Sequence, residues 1–351
     1  MANLSLLTLA IIFIAAGAVT WFAGLSLTKA TSTLDSRFKI GDALGGLILL
    51  GISGSLPEFA VTYSAAISDH IPVIIGNLLG GIAIQTVLIV LFDFAVKDRR
   101  PLSYLAGSPI LSLETFFAIF ITSLALMGAF IPIDKNLLHT NPLSIVIVVG
   151  WVVGLFIINR ARQIPRLCRT ADDARPGRKH RQRRAVQNHP FYANKSTLHV
   201  IMIFLAGSIA TLIAGVYLEE TGSIIADRLG IGSGLFAATF IAFATSLPEI
   251  STGLKAIFIG DHHLAIGDIM GGNAFMIVIF LFADIVAQKP ILSYAARSDM
   301  LWAGLGIVMM TVYGISFLLQ LRRRYLRLGM DSILEFVLYA VGVVTLTYFV
   351  T

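Results

Sequence analysis

Two glutamates carry the chemistry that is most visible in this sequence. Glu58 and Glu249 each close a Ser-Leu-Pro-Glu element, and each element lies inside a long apolar run. An ionisable residue at mid-membrane depth costs about 2.5–3.5 kcal/mol on insertion scales, so such residues persist where they have a function. Carboxylate oxygens are hard ligands that suit Ca2+, Na+ or H+ better than soft transition metals. The proline before each glutamate has no N–H and clashes with the preceding turn. Carbonyls around Ser53 and Ala244 thereby lose their helical donors, and Gly51 and Ala242 are candidate ligands on the same stretches. A bare carbonyl in hydrocarbon needs another partner, and a dehydrated cation is one. Ser55, Thr245 and Ser246 add hydroxyl oxygens beside the acids.

The two elements belong to an internal repeat. Residues 51–93 align with 242–284 without a gap at an offset of 191, matching Ser55/Ser246, Leu56/Leu247, Pro57/Pro248 and Glu58/Glu249. Gly76/Gly267, Gly80/Gly271 and Gly81/Gly272 match at the same offset. Recurrence at one offset is the mark of a duplicated unit. Counting back across the turn after each glutamate helix puts the glycine pairs level with the acids, where small residues allow close helix packing. Asn77 and Asp268 fall about one turn toward the loop, and Gln85 with Met276 about one turn deeper.

The elements that must hold these residues are membrane helices. The chain of 351 residues is 56% hydrophobic and only 13% charged, against about a quarter charged in soluble domains. Ten apolar runs long enough to cross a hydrocarbon core of about 30 Å fall near 4–27, 41–68, 71–96, 111–131, 142–159, 198–218, 231–259, 263–287, 299–320 and 332–350. The first reads as a spanning helix and not as a cleaved signal, because no basic segment precedes it. Lys29, Arg37, Lys97, Arg100, the run from Arg160 to Lys195 and Arg322–Arg324 fall mostly on one side. By the positive-inside rule this multi-pass cell-membrane chain has both termini extracytoplasmic and a cytoplasmic basic loop at 160–197. That loop divides two five-helix units, 1–159 and 198–351. Five being odd, the second unit enters from the opposite side, which makes an inverted repeat of the secondary-transporter kind. The expected fold is therefore all-α: ten transmembrane helices in two inverted five-helix repeats with discontinuous, proline-kinked helices.

Other classes fit less well. The net charge of +6 resides in a lipid-facing linker without interleaved aromatics, so nucleic acid is not the expected partner. Single Cys168 excludes an internal disulfide framework. No cofactor or enzymatic activity is expected: an intramembrane hydrolase would need a catalytic pair that the helices lack. The expected partners are the bilayer and the transported cations, and a monomer is compatible with the layout. His70, His262 and His263 read as loop bystanders, Asp93 and Asp284 as solvated acids near helix ends, and Glu219 with Glu220 as a helix end or an outer mouth.

The motif pattern resembles the calcium/cation antiporter superfamily, which includes the sodium/calcium exchangers. Gly54-Ser55-Leu56-Pro57-Glu58 with Gly76-Asn77-Leu78-Leu79-Gly80-Gly81 forms one copy, and Thr245-Ser246-Leu247-Pro248-Glu249 with Gly267-Asp268-Ile269-Met270-Gly271-Gly272-Asn273 the other. The resemblance implies a secondary active antiporter that exports Ca2+ against Na+ or H+ by alternating access. The family usually has Ser where Gly81 and Gly272 stand, and Asn or Asp where Gln85 and Met276 stand. Those departures keep open an exchanger of monovalent or other divalent cations on the same fold (Na+/H+ or Mg2+-type), and less readily a channel. The resemblance carries over Glu58, Glu249, Ser55, Ser246 and Thr245, and the full candidate ligand set adds Gly51, Ala242, Asn77, Asp268 and Gln85.

Overall fold

An apolar chain in lipid must satisfy its backbone internally, and helices do so within one segment. The computed structural model describes residues 1, 3–38, 54–135, 137–164, 166–167, 192 and 194–350, and they are almost entirely helical. The helices are α1 (Leu6–Phe38), α2 (Leu56–Ile67), α3 (Ile71–Ala95), a short α4 (Leu102–Ala106), α5 (Pro109–Gly128), α6 (Pro142–Arg162), α7 (Thr197–Leu229), α8 (Ser233–Thr245), α9 (Leu247–Ile259), α10 (His262–Ala287), α11 (Arg297–Leu319) and α12 (Met330–Val350). Among the described residues seven helices are long and apolar enough to cross a membrane, or eight when the bent pair α8–α9 is taken as one span. The expected span at 41–68 is described only from residue 54, and most of the linker 160–197 also lies outside the described residues.

Two expected spans run longer than the sequence indicated. α1 continues to Phe38 and α7 to Leu229, each 33 residues, or about 50 Å at 1.5 Å per residue. In α1 the extension carries Arg37, whose guanidinium donates to Thr197 Oγ1 and to the Tyr192 and Lys195 carbonyls, tying the helix to the start of α7. In α7 Glu219 is no helix end. It is fully buried and accepts hydrogen bonds from Ser64 (2.7 Å) and Ser223 (3.0 Å), with His70 Nδ1 at 2.7 Å. Bonding at that carboxylate lets the helix continue through an acid. His70 is thus a partner of α7 and not a bystander.

Element order repeats along the chain. α1 and α7 begin 191 residues apart, as do α2 with α9 and α3 with α10, whereas α6 and α12, both of 21 residues, begin 188 apart. α7 packs on α2 while α1 packs on α9, so the long helices exchange partners between halves. α3 and α10 form the centre: 94% of the α3 apolar window is buried and 61% of that of α10, against 22% for α1 and α6 and 28% for α7. The outer helices turn Leu7, Ile14, Phe22, Phe156 and Leu198 outward, as a lipid-facing rim would.

Asp93 and Asp284 correct the expectation of solvation, since both are fully buried. Asp93 accepts from Leu102 N (2.7 Å) and Gly329 N (2.6 Å). Asp284 accepts from Ile291 N (2.7 Å) and Asn141 N (2.9 Å). Each takes one donor from its own half and one from the other. Backbone N–H groups at the starts of the following segments have no helical acceptor, and these carboxyls supply it. Gly329 is presented by a small hairpin, Arg324–Tyr325 paired with Leu328–Gly329, whose turn residues Leu326 and Arg327 have φ of 47° and 69°.

Candidate functional site

The Ser-Leu-Pro-Glu elements break the helix more sharply than a kink. α8 ends at Thr245, Ser246 sits at φ −81°, ψ 3°, and α9 restarts with Pro248 in its first turn, at 45° to α8. Proline at a helix start loses nothing, because the first N–H groups have no acceptor there. The first copy has the same restart: Ser55 at φ −90°, ψ 15°, then α2 with Pro57 and Glu58 in its opening turn. Both glutamates therefore occupy helix N-termini, where the macrodipole favours an anion. Gly51 lies outside the described residues, so its carbonyl is not placed.

The two acids converge. Glu58 is fully buried and Glu249 nearly so, and their carboxyl groups are close enough to feel each other's charge. A Cβ built on Gly54 would meet Glu249 Oε1 at 3.9 Å, so the glycine of the first copy lies against the acid of the second. Thr245, from the second copy, lies beside Glu58. Its hydroxyl donates to the Ala242 carbonyl at 3.1 Å, as do Ser246 Oγ at 2.8 Å and Ser246 N at 3.1 Å. The Ala242 oxygen is thus engaged by its own helix end, and the Thr245 and Ser246 hydroxyls present only their lone pairs to the centre. Ser55 is buried at the head of α2.

Asn77 lies in a π-helical turn, Gly76–Gly80, that interrupts α3. A second π-turn, Ala237–Ile241, lies in α8 just before Ala242, and the two pack together. Such turns are common at functional positions because the extra residue re-aims neighbouring groups. Gly76 and Gly80 make the crossing possible: a Cβ on either would run into the backbone of Gly234 or Ala238.

Gln85 and Met276 face across the halves in a matched way. Gln85 Oε1 lies 3.2 Å from a Cβ built on Gly272, and the Met276 side chain covers Gly81. The serine positions of the resembled family are therefore glycines under the longer side chains of the opposite repeat. Asp268, largely buried, is close enough to Glu249 to act on its charge, and Thr252 donates to its Oδ2 at 3.2 Å.

Most of the buried polar atoms at this centre lack partners. Both oxygens of Glu58, Oε2 of Glu249, both amide atoms of Asn77, Gln85 Oε1, Asn273 Oδ1 and Thr62 Oγ1 are enclosed without a hydrogen bond. Leaving a buried polar atom unpaired costs about 1–3 kcal/mol, and more for a charge, so natural proteins keep few and each needs a reason. Asn273 and Thr62 were not among the residues singled out from sequence. Asn273 holds Thr86 at 3.0 Å through its amide nitrogen, which turns the oxygen inward; its place in the second Gly-Gly-Asn run was the available signal. Among the described residues no three acids, histidines or cysteines form a metal cluster, so an ion here would rest on two carboxylates and neutral oxygens.

Residues 8–159 and 199–349 match the family described as sodium/calcium exchanger protein. The inner membrane protein YrbG of Escherichia coli is 26% identical over 257 residues, covering 73% of this chain and 72% of that protein. Among solved structures, that of the H+/Ca2+ exchanger CAX superposes with a TM-score of 0.64 at 13% identity, covering 97% of this chain and 86% of that one. The sodium-calcium exchanger NCX_Mj gives a TM-score of 0.60 at 16% identity, covering 96% and 98%.

Proposed function

The chain belongs to the sodium/calcium exchanger protein family, and from that premise we propose that it is a secondary active cation antiporter that exports Ca2+ in exchange for Na+ or H+ by alternating access. The observation that carries this reading is the set of enclosed, unpartnered oxygens around Glu58 and Glu249 at two helix breaks. Two ionised glutamates carry a charge of −2, which balances one Ca2+, two Na+ or two H+. One ion species thus replaces the other at the same oxygens, and neither need leave the charges bare in a low dielectric. Ser55, Thr245, Ser246 and Asn77 supply neutral oxygens, as would the carbonyl of Gly51, and Gln85 adds an amide oxygen from one turn away; the Ala242 carbonyl, already taken by three donors, holds the Thr245 and Ser246 hydroxyls in place. Asp268, beside Glu249, tunes the charge of the centre. Relatives' names support the ion classes: the two solved exchangers are an H+/Ca2+ and a sodium-calcium exchanger.

The architecture that serves this cycle is ten spans in two inverted five-helix units, 1–159 and 198–351, joined by a cytoplasmic basic linker at 160–197, with both termini outside the cell membrane. Two observations support it: the basic residues cluster on one side, and the clasps at Asp93 and Asp284 exchange donors between halves as an internal two-fold would require.

A second reading, exchange of monovalent or other divalent cations, is favoured by Met276, a thioether lying over Gly81 where an oxygen would strengthen Ca2+ binding. Uptake of radiolabelled Ca2+ into proteoliposomes, under an outward Na+ gradient, an outward H+ gradient or neither, separates the readings. Gradient-driven uptake that disappears in Glu58→Gln and Glu249→Gln is the expected result. Uptake that ignores both gradients, or that survives both substitutions, would refute the antiport reading.

A further inference from the structure

A second pair of buried acids lies outside the Glu58–Glu249 centre. Asp331 and Glu335 stand one turn apart on α12, which packs on α11 and on the C-terminal part of α3. Residues four apart share a helix face, and Glu335 feels the charge of Asp331. Glu335 is 0% exposed, yet neither of its oxygens has a partner, and Asp331 Oδ2 also has none. Around them stand hydroxyls. Ser103 lies beside the Asp331 carboxyl, the buried Ser332 is its neighbour on α12, and Tyr313 Oη is 3.5 Å from Ser332 Oγ and within electrostatic reach of both acids.

Arg324, on the hairpin before α12, does not neutralise the pair. Arg324 points its guanidinium at Asp93 Oδ1 (3.9 Å) and at the carbonyls of Asp93, Val96 and Asp98. Asp93 is itself occupied by two backbone donors. The acids are not a requirement of the scaffold either. At the 188-residue offset of α6 and α12, Asp331, Ser332 and Glu335 correspond to Leu143, Ser144 and Ile147. The clasp at Asp284 closes against that neutral counterpart with the same two backbone bonds. The second half has therefore gained two enclosed carboxyls that the first half folds without. Asp93, beside them, lies eight residues beyond Gln85, about 12 Å further along α3.

We propose that Asp331 and Glu335, with the hydroxyls of Ser103, Ser332 and Tyr313, form a second cation site that binds one divalent ion of the Ca2+ class. All the donors are hard oxygens, the two carboxylates match a double charge, and the set reaches the six oxygens that Ca2+ takes at minimum. The site is distinct from the exchange centre and does not depend on the antiport reading.

The test is equilibrium binding of radiolabelled Ca2+ to the purified full-length chain in detergent. Glu58→Gln/Glu249→Gln protein is expected to retain one Ca2+ per chain. Adding Asp331→Asn/Glu335→Gln is expected to weaken that binding at least 100-fold. Tyr313→Phe, which changes no charge, is expected to weaken it about tenfold in the Glu58→Gln/Glu249→Gln background. It serves as the decisive variant should the quadruple substitution not fold. Absence of Ca2+ from the Glu58→Gln/Glu249→Gln protein would overturn the proposal, because the pair would then hold only protons. Binding that survives Asp331→Asn/Glu335→Gln, or that Tyr313→Phe leaves unchanged, would overturn it as well.

Discussion

Asp93 and Asp284, 191 residues apart, close the same clasp with the same pair of backbone donors and the same pair of oxygens. Gln85 and Met276, also 191 apart and about two turns away, cover the opposite half's glycine with an amide oxygen in one case and a thioether in the other. Thr245 faces Glu58 where only Gly54 faces Glu249, and Asp268 replaces Asn77. A backbone N–H is the same donor whatever side chain it carries, so the clasp tolerates no divergence in its acid. An ion, by contrast, needs only enough oxygens in total, so the halves are free to contribute unequally.

The strongest test of that contrast is at the acids themselves, the charged part of the centre that the halves share. Glu58→Gln and Glu249→Gln keep shape and remove charge. Each is expected to lower gradient-driven cation flux in proteoliposomes at least about 100-fold, equivalent to ~2.7 kcal/mol. A variant that kept more than a tenth of the flux would show that its half is dispensable.

Next in size is the asymmetric pair. Met276→Gln gives the second half the amide that the first already has, and is expected to tighten Ca2+ binding by roughly tenfold, or ~1.4 kcal/mol. Gln85→Met is expected to loosen it by a similar factor. Ca2+ titration of intrinsic fluorescence or isothermal calorimetry reads both. Equal and opposite shifts would mean that the halves are interchangeable at this depth; a shift in Gln85→Met alone would mean that Gly81 leaves no room for a second amide.

At the clasps the effect falls on stability. Asp93→Asn and Asp284→Asn each turn one acceptor into a donor that faces a buried N–H, which costs about 1–3 kcal/mol per orphaned group. Asp93→Asn is expected to cost more, because Arg324 also loses the carboxylate 3.9 Å away. Thermal unfolding in detergent checks the order, and equal shifts would remove Arg324 from the account.

How much of this was legible in the sequence depended on whether a feature was local. Glu58, Glu249 and the glycine pairs stood out because identity at a fixed offset needs no coordinates. The helix breaks were legible as prolines, though not the restart at Ser246 or the π-turns, which depend on how α3 and α8 cross. Asp93 and Asp284 looked like solvated helix ends because their donors Gly329 and Asn141 lie 236 and 143 residues away. Glu219 looked like a stop signal because Ser64 and His70, which satisfy it, come from the other half. Asp331 and Glu335 carry no motif in the sequence and fall at the edge of the apolar run 332–350. Their interest lies in what does not bond them, and only a packed structure reveals that.

The smallest expected effect contrasts two surface ion pairs at related turns. Lys289 reaches Asp69 of the other half at 2.6 Å, whereas Asp98 pairs with Arg100 two residues away at 2.8 Å. Exposed pairs contribute about 0–1 kcal/mol, so Asp69→Asn and Asp98→Asn should both lie in that range, with the cross-half pair the larger. Hydrogen bonding from the Arg100 side chain, ahead of its charge, holds the Asp98 carboxyl well below the usual carboxylate range. A depressed folded-state value adds stability above the unfolded value, near 3.9, and loses it as pH falls further. The difference in unfolding temperature between the native chain and Asp98→Asn should therefore stay constant from neutrality to about pH 5 and shrink below that. A difference that grew on acidification would mean that Arg100 does not hold Asp98 ionised.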